Sequence, residues 1–144
     1  MAASTDPIYS RLGVVSKDDG TTFCGTILTA TGDYTGASAN HQLVWTADAT
    51  NGGYIQRIRF NAIGTNIATV MRIYINNGSA NTTAANNVLY GQQSMPATTA
   101  SNTAATVEID YPMALALPPG FRIYAGVATT VASGWIGVGI GGKY

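Results

Sequence analysis

Glu108 and Asp110 are the only carboxylates spaced to share one face of a strand. Residues i and i+2 on a strand lie about 7 Å apart, and glycosidases hold two carboxylates about 5–9.5 Å apart. The distance is permissive, but neighbours on one strand approach a bond from the same side instead of flanking it. Arg57 and Arg59 repeat the spacing and the outward orientation. The expected arrangement is therefore two polar strand faces paired by charge, each exposed pair contributing about 0.2–1 kcal/mol.

His41 is the single histidine. Metal centres draw on several His, Cys or carboxylate ligands, and none stands at ligand spacing beside it. A Ser-His-Asp triad converges only in space, so the sequence leaves it open, although the chain has no Gly-x-Ser-x-Gly elbow. The expectation is a rim or exposed histidine at the start of a strand. Cys24 is the single cysteine, so no disulfide can form within the chain. Its setting, Phe23-Cys24-Gly25-Thr26-Ile27, is that of a small buried apolar residue, without the neighbouring cations that activate a thiolate. Gly137, Gly139, Gly141 and Gly142 partly match a dinucleotide fingerprint, but no helix can follow before Tyr144. The expectation is a strand with Ile136, Val138 and Ile140 toward the core and the glycines leaving a bare outer face open to close approach. No catalytic residue, cofactor or metal ligand is expected.

The elements that position these residues are short strands between Gly, Asn, Asp and Pro clusters. They are expected over 11–16, 21–30, 41–47, 57–62, 69–76, 87–93, 106–111, 121–128 and 135–141, with Met113–Leu117 as a connection. Asn51-Gly52-Gly53 reads as a hairpin turn and Asn76-Asn77-Gly78 as another turn. Ile58, Phe60 and Ala62 alternate with Arg57, Arg59 and Asn61, and Met71, Ile73 and Ile75 with Arg72 and Tyr74. No segment carries a helical apolar stripe. Residues 1–10 read as an extended arm anchored by Ile8 and Tyr9, and residues 11–144 as one domain. The fold class is all-β, a single-domain β-sandwich of jelly-roll type.

The chain has 144 residues, 46% hydrophobic and only 10% charged, where about 25% charged is usual. So thinly charged a surface has little guard against association. Seven basic and seven acidic residues cancel, which argues against nucleic acid as a partner. No apolar run approaches the ~18 residues of a membrane span. The first residues carry no basic or apolar signal segment, so synthesis in a cytoplasm is expected. Tyr and Arg are enriched where proteins meet. The candidate contact residues are Ile8, Tyr9, Arg57, Arg59, Arg72, Tyr74, Glu108, Asp110, Arg122 and Tyr124.

Three stretches carry a resemblance: Thr106-Val-Glu-Ile-Asp-Tyr111, Leu115-Ala-Leu-Pro-Pro-Gly-Phe-Arg-Ile-Tyr124, and the closing Gly134-Trp-Ile-Gly-Val-Gly-Ile-Gly-Gly-Lys-Tyr144. With Ile58–Asn66 and Val70–Gly78 they resemble small β-sandwich virion proteins of tailed bacteriophages, over roughly residues 54–144. Such proteins include capsid decoration (cement) proteins, often trimeric, and tail-associated β-domains. The resemblance implies a structural role on the outer capsid surface of a virion, with the major capsid protein and further copies of the chain, as a homotrimer, for partners. The second implied role is a tail or fibre domain that binds a host receptor or carbohydrate through loops 31–40, 79–87 and 97–105.

Overall fold

The computed structural model describes residues 12–18 and 22–144. The expected arm at 1–10, with Ile8 and Tyr9, lies outside the described residues. The strands are β1 Leu12–Val14, β2 Gln42–Thr46, β3 Gly53–Ala62, β4 Thr69–Asn76, β5 Asn87–Met95, β6 Glu108–Leu117, β7 Arg122–Val127 and β8 Trp135–Lys143. They form two antiparallel four-stranded sheets, one in the order β1-β8-β3-β6 and the other β2-β7-β4-β5. The chain is an all-β sandwich. The pairings are nested: β4 with β5, β3 with β6, β2 with β7 and β1 with β8. The β3–β8 and β4–β7 ladders then complete each sheet.

Alternation places Ile58 and Phe60 of β3 and Met71 and Ile73 of β4 fully inside, together with Ile123 and Val127 of β7. Each such side chain contributes about 1.5–3 kcal/mol by leaving water. Trp45 and Trp135 are also fully buried. Cys24 is buried as expected, and burial pushes its thiol pKa up, away from a reactive thiolate.

The connections at one end of the sandwich meet on a buried amide. Asn66 accepts at Oδ1 from the amides of Ser133 (3.0 Å) and Gly134 (2.7 Å). Its Nδ2 donates to the Gly134 carbonyl (3.1 Å) and the Thr98 hydroxyl (3.2 Å). Its backbone exchanges two hydrogen bonds with Thr98. One side chain thereby satisfies buried polar groups from two other loops.

Several expectations are corrected. Residues 21–30 are not a strand where described; their backbone pairs with the sheets through isolated bridges, Ile27 to Trp135 and Ala30 to Val127, while Cys24 and Ile27 pack into the core. Asn51-Gly52-Gly53 is not a hairpin, because β2 and β3 belong to different sheets. Asp48 caps that corner by accepting from the amides of Thr50 (3.0 Å) and Asn51 (2.8 Å). β6 runs on through Pro112 to Leu117 instead of stopping at Tyr111. It does so by bulging between Pro112 and Leu115, where Ala114 takes φ 47°.

The largest correction concerns β8. Gly137 and Gly139 face the core, while Ile136, Val138 and Ile140 face outward and are half-buried. Trp135 decides the parity. Its indole is fully inside, so every second residue after it points the same way. The glycines make room for the other indole. A Cβ on Gly139 would lie 2.8 Å from Trp45 Cβ and 2.9 Å from Cδ1, and one on Gly141 would lie 3.1 Å from Trp45 Cζ2. The glycine stripe is thus a groove for Trp45, whose Nε1 donates to the Val14 carbonyl at 3.3 Å.

Candidate functional site

The outer face of the β1-β8-β3-β6 sheet assembles in rows set by register. Asn61 lies between Ile136 and Glu108, Arg59 between Val138 and Asp110, and Arg57 between Ile140 and Pro112. Each row runs from an aliphatic side chain on β8 through a polar or cationic one on β3 to β6. Arg59 grips Asp110 with two bonds, Nε to Oδ1 at 2.8 Å and a terminal nitrogen to Oδ2 at 2.9 Å. Its other terminal nitrogen lies 3.8 Å from Glu108, and Arg57 Nε lies 3.8 Å from Asp110. These side chains are 38–61% exposed, so the lattice faces water.

The expected charge pairing of Arg57 and Arg59 with Glu108 and Asp110 is therefore realised across the β3–β6 ladder. The hydrogen bond from Arg59, and its charge, hold the Asp110 carboxyl below the usual carboxylate range. A carboxylate held ionised in this way is a poor proton donor at neutral pH. Two positive and two negative groups neutralise one another beside an aliphatic column. That surface is apolar along one margin and charge-balanced along the other.

The opposite sheet shows a different outer face. Arg72 and Tyr74 do point outward from β4, but residues 31–41 lie over them; Arg72 is 7% exposed and Tyr74 is fully buried. They serve the chain itself and present no contact surface. Both donate to the carbonyl of Asp33, at 3.1 Å each, and the Arg72 guanidinium lies 4.1 Å over the Tyr34 ring. His41 is buried too, contrary to the rim position expected, with its ring 4.5 Å from that of Tyr74. Its Nδ1 lies 2.8 Å from the Gly36 carbonyl. A carbonyl only accepts, so Nδ1 carries the proton of the neutral ring. Nε2 is buried without a partner, and burial holds the His41 pKa below its ordinary value. Gly36, at φ 79°, permits this closure, since a Cβ there would lie 2.8 Å from Tyr74 and 2.9 Å from Asn87.

Arg122 and Tyr124 are half-buried on β7. In register Arg122 stands beside Asn76, and Tyr124 stands between Leu43 and Tyr74, so the structure brings neither to the charged lattice. Among the described residues no group of three or more His, Cys, Asp or Glu stands ready to hold a metal.

Comparison with protein-family models, with curated proteins and with solved structures finds no match to this chain. The site therefore rests on its own geometry. Sequence reasoning places Arg57, Arg59, Glu108 and Asp110 together but misses Ile136, Val138 and Ile140 as outward residues. It also misses Asp33 and Tyr34 as the cover over β4. The signal for the first is Trp135, whose bulk fixes the parity of β8. The second has none, because Thr31–Gly36 reads as a loop, and a loop's sequence does not say which face it crosses.

Proposed function

We propose that this chain is a structural virion protein, a capsid decoration (cement) protein that binds across capsomers on the head of a tailed phage. One observation carries the reading. The outer face of the β1-β8-β3-β6 sheet carries the aliphatic column Ile136, Val138 and Ile140 beside a self-neutralised lattice of Arg57, Arg59, Glu108 and Asp110. A face with apolar side chains and no net charge costs less to cover with another protein than one with unpaired charges, because each charged group keeps a partner when water leaves. The nested strand pairing reads as a jelly roll, a fold common in virion shells.

A decoration protein acts by mass action: binding only the assembled shell shifts the equilibrium toward assembly. Copies joined in an oligomer, a trimer by the resemblance, multiply modest contacts into tight attachment. The test is co-sedimentation of purified protein with phage heads that lack it. Val138→Asp removes an aliphatic side chain and adds a negative charge across the ladder from Arg59, where it competes with Asp110 and unbalances the lattice. It is expected to weaken binding at least tenfold, with an unchanged circular-dichroism spectrum. Failure of the unaltered chain to bind heads, or full binding by Val138→Asp, would contradict the reading.

A second reading, a tail or fibre domain that binds host carbohydrate, has its own observation. A hollow of about 190 Å³ lies at one end of the sandwich, with Phe121 and Val88 as apolar walls and Asn77 and Asn86 among its polar ones. Amides beside an aromatic ring suit a sugar. Saturation-transfer NMR with host surface glycans that fails to reach Phe121 would remove it.

A further inference from the structure

Among the described residues four strands bound the two sheets, β1 and β6 in one and β2 and β5 in the other, and they are unequally fit to pair with another chain. Among the described residues β1 has three residues and β2 five. The Thr46 hydroxyl of β2 also donates to the carbonyl of Lys17. β6 has ten residues but carries Glu108, Asp110, Pro112 and the bulge at Ala114. Charge, proline and bulges are the devices by which edge strands resist pairing. β5 reads Asn-Val-Leu-Tyr-Gly-Gln-Gln-Ser-Met over 87–95, nine residues with no charge and no proline.

Among the described residues no strand lies beyond β5. Alternate residues of an antiparallel strand turn both N–H and C=O away from their partner, so these groups of β5 face outward. Its one irregularity falls at Tyr90, where the register with β4 shifts, and the Tyr90 hydroxyl ties back to the Met113 carbonyl at 3.1 Å. From Gly91 to Met95 the pairing with β4 is one to one, so this half of the edge is regular.

We infer that β5 pairs with β5 of a second copy, antiparallel about a two-fold axis, joining two β2-β7-β4-β5 sheets into one of eight strands. The strand is its own suitable partner. A two-fold axis sets it antiparallel to itself, the sense of every ladder in the two sheets, and its amide and hydroxyl side chains bring no like charges together. A threefold ring would need β5 to meet a different edge. β6 offers carboxylates and a proline, and β1 and β2 are short. The edges therefore favour a dimer over the trimer that the resemblance implies. This pairing goes beyond the shell-binding reading and does not rest on it, since it uses the other sheet.

Sedimentation velocity of the full chain across a concentration series tests it. A dimer is expected, and the double variant Gln92→Lys, Ser94→Lys is expected to raise its dissociation constant at least tenfold with an unchanged far-ultraviolet spectrum. Should that variant fail to fold, hydrogen exchange on the unaltered chain decides. Protection at alternate residues of Gly91–Met95 that disappears on dilution supports the pairing. A monomer at every concentration, a trimer, a dimer indifferent to both lysines, or edge protection independent of concentration overturns it. The last result would give the edge to residues of the same chain. Because shell binding is read on heads with Val138→Asp, either proposal can fail without the other.

Discussion

His41 and Gly139 show how single residues bind this fold to particular conditions. Protonating His41 would place a charge at Nε2, buried without an acceptor. Arg72 opposes that charge and Asp33 favours it; the Tyr74 ring packs against the imidazole, and Tyr34 lies beyond, over Arg72. Burial outweighs the rest, so the folded pKa lies below the ordinary 6.5. The contribution of a group so shifted is fully present above 6.5 and is lost as pH falls below it toward the folded value. Thermal melts are expected to show stability declining with acidification below 6.5, with a shallower decline in His41→Phe. An identical slope in both proteins would refute the assignment. At Gly139 the argument is steric. Gly139→Ala drives a methyl against Trp45, and overpacking of this kind costs about 1–3 kcal/mol. Denaturant unfolding should show that loss, and little loss for Val138→Ala on the outward parity; equal losses would mean the parity is not as described.

At the scale of elements, legibility followed the clarity of alternation. β4 matches its expected bounds of 69–76, and Ile58, Phe60 and Ala62 face inward as read. In both strands charged or amide residues alternate with apolar ones, so only one parity buries the apolar set. β8 misled because neither of its parities is polar. Glycine reads as empty space until a large partner fills it, and that partner, Trp45, belongs to β2 of the other sheet, far away in the chain. The extension of β6 through Pro112 was hidden because proline forfeits a ladder donor, a loss that an edge strand tolerates. The charged lattice was legible because Arg57 and Arg59 share one spacing with Glu108 and Asp110. The cover over Arg72 was not, since a loop's path leaves no periodic trace. Two predictions belong here. Asn66→Leu strands the Ser133 and Gly134 amides. Each unsatisfied buried group costs about 1–3 kcal/mol, so a loss of at least about 2 kcal/mol is expected on unfolding in urea. Ala114→Gly relieves the positive φ in the β6 bulge and should stabilise by about 0.5 kcal/mol, the αL relief offset in part by glycine's backbone entropy. Destabilisation by that change would contradict the bulge geometry.

The whole molecule joins two sheets with unlike outer faces. One face is roofed by residues 31–41, so Arg72 and Tyr74 are enclosed. The other leaves paired charges open along β3 and β6 beside the half-buried aliphatic side chains of β8. With 10% charged residues and no net charge, electrostatic repulsion between copies is weak, and contact is decided by shape and apolar area. The proposed place on a phage head is tested most directly by cryo-electron microscopy of tailed-phage particles assembled with this chain. The account predicts many copies on the outer shell, with Ile136, Val138 and Ile140 against the major capsid protein. A few copies at the tail, or that face left bare to solvent on the shell, would contradict it.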